Sequence, residues 1–423
     1  MENKKIKVVW VCHLSSEELR KGLHLKKNGI NMTDFAQWNV NGITEFKKFS
    51  DVELHIISPH KQLTSKLEEF IKDNIHYHIF KSEDDNLLYR IKRKFLKGKY
   101  ETPAYVGNSR LILSIINSIK PDIIHVIGAE NPYYSISALS MPKDTPLIVA
   151  LQTLMIAPDF FDNYPISKKM YDYRSNIERQ VLQRADYISF RGQRFKEILN
   201  EQFIPKPRII EIPLFVGVST NMSECDKEYD FVYFAKEIEK AVDWVIEAFI
   251  WAHKKRPDIT LNIVGGYSVQ TKQQLDCKLA ESGITDKVIF SGSLQTHDDV
   301  INQIRKARFA ILPLKVDMIS GTIREAMANG LPVVTTITPA TPKLNEQRES
   351  VLLSEKGDYK GMAHNMLTLL EDSDLANRIQ KNAYKTIKEK YDNETFANLW
   401  REAYYAILDN KNNGTPIPSK LMK

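Results

Sequence analysis

Cysteine and long apolar runs are scarce in this chain. Its 423 residues include three cysteines, Cys12, Cys225 and Cys277, whose spacing suggests no pairing. The sequence therefore indicates neither a disulfide framework nor a cysteine-based metal site, and it fits a reducing cytoplasm. No apolar run approaches the roughly 20 residues that a membrane-spanning helix needs. The short run Ile6–Cys12 is expected to form a first strand rather than a signal peptide.

The motifs of several common enzyme classes are also missing. The sequence has no His-Glu-x-x-His or Cys/His cluster for zinc, no Gly-x-Ser-x-Gly of a hydrolase and no Walker pattern. The acid pair Asp372 and Asp374 resembles a metal-binding Asp-x-Asp motif, but its place at a predicted helix start favours a capping role. The sequence therefore predicts neither a bound metal nor a cofactor.

What is present is a repeated alternation of strand-like and helical segments. Hydrophobic residues make up 43% and charged residues 26% of the chain, which is typical of a globular protein. The length suggests about two domains. The predicted strands are Lys7–Cys12, Glu53–Ser58, Asp122–Ile127, Leu147–Leu151 and Tyr187–Phe190, then Asp230–Ala235, Leu261–Val264, Val288–Phe290, Phe309–Leu312 and Pro332–Thr335. This pattern predicts two α/β domains with largely parallel sheets.

Positive charge is concentrated in one segment. The net charge is +6, and Arg90–Lys99 contains no acidic residue. Leu88, Ile91 and Phe95 fall on one face at helical spacing. The pattern is typical of a basic amphipathic helix at an anionic membrane surface, and equally of a packed helix with a solvated basic side. No nucleic-acid recognition motif accompanies it, so we expect no nucleic-acid partner.

The most informative segment runs from Asp317 to Thr336. An apolar strand-like run precedes it, and Ser320-Gly321-Thr322 opens a helical pattern that stops at Gly330. The free N–H groups and the positive dipole end of such a helix form a cradle for phosphate. Glu325 lies one turn into this helix, where its carboxylate can accept hydrogen bonds from vicinal hydroxyls.

The segment resembles the Glu-x7-Glu motif of the GT-B glycosyltransferases, in particular the retaining family 4. Glu325-Ala-Met-Ala-x-Gly330-x-Pro332-Val333 matches that motif in register, and Asp317 replaces its first glutamate. The resemblance implies two Rossmann-like domains that face each other across a cleft. It also implies that a nucleotide sugar binds the C-terminal domain without a metal, and that Asp317 contacts the transferred sugar.

Further positions in the second half match the same family. Its two diphosphate-binding cations correspond to Lys236 and Lys240, although two surface lysines are the alternative. Gly265 follows one predicted strand and permits a close approach of the backbone to a ligand. Gly292 and Ser293 follow the next strand, where the resemblance implies that the nucleotide base binds.

The first half contains the candidates for the acceptor side. Pro121-Asp-Ile-Ile-His125 is similar to a family segment whose histidine faces the transferred sugar, and a buried core histidine is the alternative. Glu130 and Asp34 are candidate acidic groups on loops that follow or precede predicted elements. The predicted catalytic residues are thus His125, Glu130, Lys240 and Asp317.

Together these features predict a metal-independent, retaining hexosyltransferase. The expected domains are an acceptor domain at 1–212, a linker at 213–229, a donor domain at 230–385 and a helix at 386–423 that crosses back to the first domain. We expect a nucleotide-sugar donor, a glycan or lipid-linked acceptor, and a role in capsular, exopolysaccharide or lipopolysaccharide synthesis. The expected location is the cytoplasm, including the inner face of the plasma membrane. A nucleotide-sugar epimerase and a catalytically weak, partner-binding homologue remain the alternatives.

Overall fold

The computed structural model describes most of the chain. The described residues are 5–25, 34–85, 102–158, 160–163, 166–190, 193–215, 225–237, 241–315 and 319–422. They divide into two units. The first unit takes in the described residues from 5 to 215 together with 393–422, and the second takes in 225–392. Within the described residues, no helix is long and apolar enough to cross a membrane.

The first unit is built on an eight-stranded sheet in the order β3-β4-β2-β1-β5-β6-β7-β8. Its strands are β1 (Ile6–Val11), β2 (Val52–Pro59), β3 (Leu67–Lys72), β4 (Ile75–Phe80), β5 (Ile123–Ile127), β6 (Leu147–Ala150), β7 (Tyr187–Ser189) and β8 (Ile209–Ile210). All neighbouring pairs are parallel except the edge hairpin of β3 and β4. Because helices cover both faces, the central strands are mostly apolar, and His125 of β5 is buried among them.

Eight of the described helices belong to the first unit. They are α1 (Glu17–Gly22), α2 (Gln37–Phe46), α3 (Val106–Ile119), α4 (Pro132–Ser135), α5 (Phe160–Asn163), α6 (Lys168–Arg184), α7 (Gln193–Gln202) and, from the end of the chain, α14 (Asn393–Asn413). Helix α14 buries Trp400 and Tyr404 against the aromatic core around Trp10 and Phe46. Arg401 adds an ion pair with Asp51 at the rim. The last helix is therefore an integral part of the first unit.

The second unit is built on a six-stranded parallel sheet in the order β11-β10-β9-β12-β13-β14. Its strands are β9 (Tyr229–Glu237), β10 (Leu261–Gly266), β11 (Val288–Gly292), β12 (Ala307–Ile311), β13 (Val333–Thr336) and β14 (Leu352–Ser354). Its helices are α8 (Val242–His253), α9 (Val269–Glu281), α10 (His297–Arg305), α11 (Gly321–Ala328), α12 (Tyr359–Glu371) and α13 (Ser373–Lys390). Counted from β9, the strand order is 3-2-1-4-5-6, the order of dinucleotide-binding folds.

Side-chain caps explain where many of these helices begin. Ser268, Ser320 and Asp358 each accept a hydrogen bond from a backbone N–H of the first turn. Asp372 caps α13 by accepting from the N–H of Leu375 at 2.8 Å, so the capping interpretation of its acid pair is confirmed. The prediction of two α/β domains with largely parallel sheets is also confirmed.

Candidate active site

The candidate donor site lies where the second sheet changes its direction of winding. Strands β9 and β12 are neighbours, and the connections that leave their carboxyl ends run to opposite sides. Ligands of open α/β sheets bind in the crevice that forms at this point. The loop after β12 leads to Ser320 and the start of α11. The helix start predicted from the sequence therefore stands at the expected ligand position of this unit.

The first turn of α11 is arranged to receive an anion. Ser320 caps the helix by accepting from the N–H of Ile323 at 3.3 Å, and its hydroxyl lies 2.8 Å from that of Thr322. The N–H groups of Gly321 and Thr322 come before the first intrahelical bond, so helix geometry directs them outward. A Cβ added to Gly321 would lie 3.9 Å from Oε1 of Glu325. The side chains of Arg324 and Glu325 therefore both adjoin Gly321 at the helix start.

Glu325 is held in a mostly buried position without a strong cationic partner. Its side chain is 16% exposed, and its Oε1 lies 3.8 Å from Nε2 of His297 on α10. Burial raises the pKa of Glu325, while the positive charges of His297 and Arg324 act in the opposite direction. A carboxylate in this environment gains from hydroxyl donors of a bound ligand. His297 was not among the predicted site residues; it is the first residue of α10, which begins with a capping box formed by Thr296 and Asp299.

Two glycine turns adjoin the same edge of the sheet. Gly265 ends the buried part of β10 with φ of +142°, and Gly292 ends β11 with φ of +68°. Both conformations favour glycine. The exposed ring of Tyr267 packs edge-on against Phe290 at 5.8 Å, and its hydroxyl lies 4.0 Å from the position of a Gly292 Cβ. Ser293 is exposed beside this turn. The turn therefore offers an aromatic surface that the sequence did not single out.

Three predicted donor-side residues cannot be placed at side-chain level. Lys240 and Asp317 lie outside the described residues, as does the basic segment Arg90–Lys99. Lys236 belongs to the described backbone of β9, and its side chain is not part of the description. Their proposed contacts with diphosphate and sugar stay predictions.

The first sheet also changes its direction of winding, between β1 and β5. Glu130 is the main polar group at this position. Its Oε1 accepts from the side-chain amide of Asn131 at 2.8 Å, and its backbone carbonyl accepts from Arg174 at 2.7 Å. Oε2 is buried and has no hydrogen-bond partner among the described residues. Burial raises the pKa of Glu130 to about 7, against the opposing charge of Arg174. Glu130 can therefore change its ionisation near neutral pH.

Other polar side chains lie around Glu130. His13 follows β1, and its Nδ1 lies 2.5 Å from the hydroxyl of Tyr133. Glu178 on α6 accepts from the N–H of Ile156 at 2.9 Å, and burial raises its pKa to about 8. Gly128 has φ of +95°, and a Cβ there would lie 2.5 Å from the Tyr134 hydroxyl. The first unit thus gathers two uncommonly basic carboxyl groups at the carboxyl ends of its strands.

His125 lies in the core, which differs from its predicted catalytic position. The residue has no exposed surface, and its Nδ1 lies 2.7 Å from the hydroxyl of Tyr404. Its ring packs on Trp400 at a centroid distance of 4.4 Å. Burial lowers its pKa to about 3, so the ring is neutral at neutral pH. These contacts favour the alternative of a core histidine over a role beside the transferred sugar.

Asp34 is also engaged within the first unit. Its Oδ1 lies 2.7 Å from Nη2 of Arg20, and both side chains are mostly buried. Arg20 in turn donates to the hydroxyl of Ser15 at 2.8 Å. The pair ties α1 to the residues before α2, which favours a structural role for Asp34.

The two α/β units define the GT-B fold class of the glycosyltransferases. Sucrose-phosphate synthase from Thermosynechococcus elongatus has the same fold, with a TM-score of 0.70 at 13% identity over 95% of this chain and 99% of that chain. The GT-B fold predicted from the sequence is therefore confirmed. Residues 229–372 match the family model described as Glycosyl transferases group 1, which covers most of the second unit.

Two curated relatives share shorter stretches with the chain. N-acetyl-alpha-D-glucosaminyl L-malate synthase of Bacillus anthracis is 26% identical over 131 residues, which are 31% of this chain and 34% of that protein. The UDP-N-acetylglucosamine--peptide N-acetylglucosaminyltransferase GtfA subunit of Streptococcus gordonii is 28% identical over 180 residues, which are 41% of this chain and 33% of that protein. The matches thus span about a third of the length of either relative.

Proposed function

We propose that this protein is a retaining glycosyltransferase that moves a hexosyl group from a nucleotide sugar to a glycan or lipid-linked acceptor. The donor binds the second unit and the acceptor binds the first. The observation that carries the proposal is the first turn of α11, where an open helix start adjoins the buried carboxylate of Glu325. Such a turn suits a diphosphate, and the carboxylate suits the hydroxyls of a sugar.

The chemistry proposed for the donor site is stabilisation of the leaving diphosphate. Negative charge on the diphosphate grows as the glycosidic bond breaks, and N–H groups at a helix start stabilise it without having to reorganise. Lys236 and Lys240 add positive charge if they bind as the family resemblance implies. Asp317 is placed by the same resemblance at the transferred sugar. No metal is required in this scheme.

The acceptor side is assigned to the residues around Glu130. A buried carboxyl group with an unpartnered oxygen and a pKa near 7 can accept a hydrogen bond from an incoming hydroxyl. Arg174 holds the backbone of Glu130 in place through its carbonyl. Glu130 therefore takes the role of the acceptor-side acid.

UDP-N-acetylglucosamine is the donor to test first. The names of both curated relatives refer to N-acetylglucosaminyl transfer, and their acceptors, malate and peptide, differ from each other. We propose that the acceptor is an intermediate of capsular, exopolysaccharide or lipopolysaccharide synthesis. The protein would then work in the cytoplasm, at the inner face of the plasma membrane, with Arg90–Lys99 as its contact to anionic lipid.

Substitution of Glu325 by alanine tests the donor site. Loss of a charged hydrogen bond costs about 1.5–3 kcal/mol, so the dissociation constant for the nucleotide sugar should rise roughly 10- to 150-fold. Isothermal titration with UDP-N-acetylglucosamine measures the change. Glu281→Ala, which removes an exposed carboxylate at the end of α9, is the matched control and should bind like the wild type. Equal affinity in folded Glu325→Ala would remove Glu325 from the site.

Turnover of the donor, with and without acceptor, decides between the proposal and its alternatives. A transferase consumes donor only when an acceptor hydroxyl is supplied, and the anomeric configuration of the product, read by NMR, tests retention. An epimerase converts the donor sugar without any acceptor. A protein that binds donor but turns over nothing under either condition would be a binding subunit.

A further inference from the structure

A second cluster of titratable side chains lies on the first sheet, at the amino-terminal part of its strands. Glu53 and His55 lie on β2, and His76 and His78 lie on the neighbouring strand β4. The parallel register pairs His55 with His76, and residues two apart on a strand share a face. All four side chains therefore belong to one face of the sheet.

Three of these side chains have the geometry of metal ligands. One ligand atom each from Glu53, His55 and His76 can be chosen so that all lie within 4.8 Å of one another. Nε2 of His55 lies 3.0 Å from Oε1 of Glu53, and the rings of His55 and His76 stack at 4.3 Å. Tetrahedral zinc with bonds of about 2.0–2.1 Å holds its ligand atoms about 3.3–3.4 Å apart. A metal lies in the plane of each imidazole that binds it, so binding requires the rings of His55 and His76 to turn out of their stacked arrangement.

A chain of hydrogen bonds engages the second ring nitrogen of His55, which faces away from Glu53. Nδ1 of His55 lies 3.0 Å from Nε2 of His78, and Nδ1 of His78 lies 2.5 Å from Oε1 of Glu69 on β3. Metal-bound histidines characteristically use the second ring nitrogen in this way, which fixes the tautomer and the ring orientation.

The environment of the cluster fits a bound cation in charge and access. The side chain of His55 is 7% exposed, whereas that of Glu53 is 27% exposed and provides an open side. Lys7 opposes binding, because its Nζ lies 3.8 Å from Oε1 of Glu53. The second carboxylate, Glu69, compensates for part of this charge.

We propose that Glu53, His55 and His76 bind one divalent ion of the zinc class. Two imidazoles and one carboxylate suit zinc and its late first-row neighbours, whereas calcium and magnesium prefer oxygen ligands. The ion would join β2 to β4 and so fix the edge hairpin of the first sheet. The proposal goes beyond the glycosyltransferase function, whose residues lie at the carboxyl ends of strands or in the second unit. It also departs from the metal-free protein expected from the sequence.

Titration of the full-length protein with zinc chloride tests the site, with Cys277 replaced by serine in every sample so that its exposed thiol does not compete. The wild-type site should bind one equivalent of zinc. His76→Gln should weaken this binding by more than about 100-fold, the upper range for loss of an outer-shell partner. His364→Gln, which changes an exposed histidine of the second unit, is the matched control and should leave the affinity unchanged.

A second variant should strengthen zinc binding instead of weakening it. Lys7→Met removes the nearby positive charge and should tighten zinc binding roughly two- to fivefold, as expected for a partly exposed charge pair. Circular dichroism without zinc verifies that each variant is folded. The absence of saturable zinc binding by the wild type would overturn the proposal. Equal binding by folded wild type and His76→Gln would overturn it as well, because the ion would then lie elsewhere.

Discussion

Tyr404→Phe is the sharpest test of how α14 holds the first unit together. The Tyr404 hydroxyl accepts from the indole N–H of Trp10 at 2.9 Å and lies 2.7 Å from Nδ1 of His125. All three residues are fully buried. Phenylalanine keeps the ring but leaves both partners without a hydrogen bond, at a cost of about 1–3 kcal/mol for each buried group. The free energy of unfolding of the first unit should therefore fall by about 2–6 kcal/mol.

The neighbouring tyrosine of the same helix supplies the control. Tyr405 donates to Oδ2 of Asp51 at 2.8 Å in a partly exposed position, where Asp51 also has Arg401 as a partner. Tyr405→Phe should therefore cost only about 1 kcal/mol. Urea unfolding followed by near-ultraviolet circular dichroism compares the two variants. Equal destabilisation would refute the argument, as would a loss of turnover per folded Tyr404→Phe molecule, because His125 would then act in catalysis.

Two further predictions concern the acceptor and the membrane. Because the pKa of Glu130 is raised to about 7, its carboxylate form, and with it acceptor binding, should increase as the pH rises through 7. The acceptor KM of Glu130→Gln should not depend on pH in this way. A KM that varies with pH equally in both proteins would remove Glu130 from the acceptor site. Reversing the charge of Arg93, Lys94 and Lys97 should release the protein from phosphatidylglycerol vesicles at low salt, since each cation contributes about 1 kcal/mol near an anionic surface. Equal co-sedimentation of the two proteins would identify the segment as an ordinary solvated helix.

The sequence predicted the central strands well, because strands buried on both faces are mostly apolar runs. Strand β5, for example, was predicted to within one residue of Ile123–Ile127. The edge hairpin was missed, although β4 alternates histidine with apolar residues as a half-buried strand does; its partner β3 is largely exposed and has little apolar signal. Strand β14 has three residues, which is too short for a periodic signal. The unpredicted strands are thus β3, β8 and β14 at sheet edges, together with β4 beside one of those edges.

In the candidate site, features that are local in sequence were predicted, whereas contacts between distant segments were not. The start of α11 was predictable because capping and glycine signals are local in sequence. The surroundings of His125 could not be predicted, because its partner Tyr404 is 279 positions away in the sequence and belongs to α14. The Glu53–His55–His76 cluster was missed for the same reason. Glu53 and His55 lie on one strand and His76 on another, so a search for metal-ligand motifs within one short segment does not find the cluster.

The contribution of α14 to the first unit has a consequence for biosynthesis. The ribosome produces the first sheet early, but Trp400 and Tyr404, which fill its aromatic core, emerge only after the whole second unit has been made. The second unit is continuous in sequence and can complete its own sheet while the nascent first unit still exposes the apolar surface around Trp10 and Phe46. We expect a chain that stalls before residue 393 to expose this apolar surface to chaperones and proteases. The first unit can therefore complete its core only after α14 has been translated.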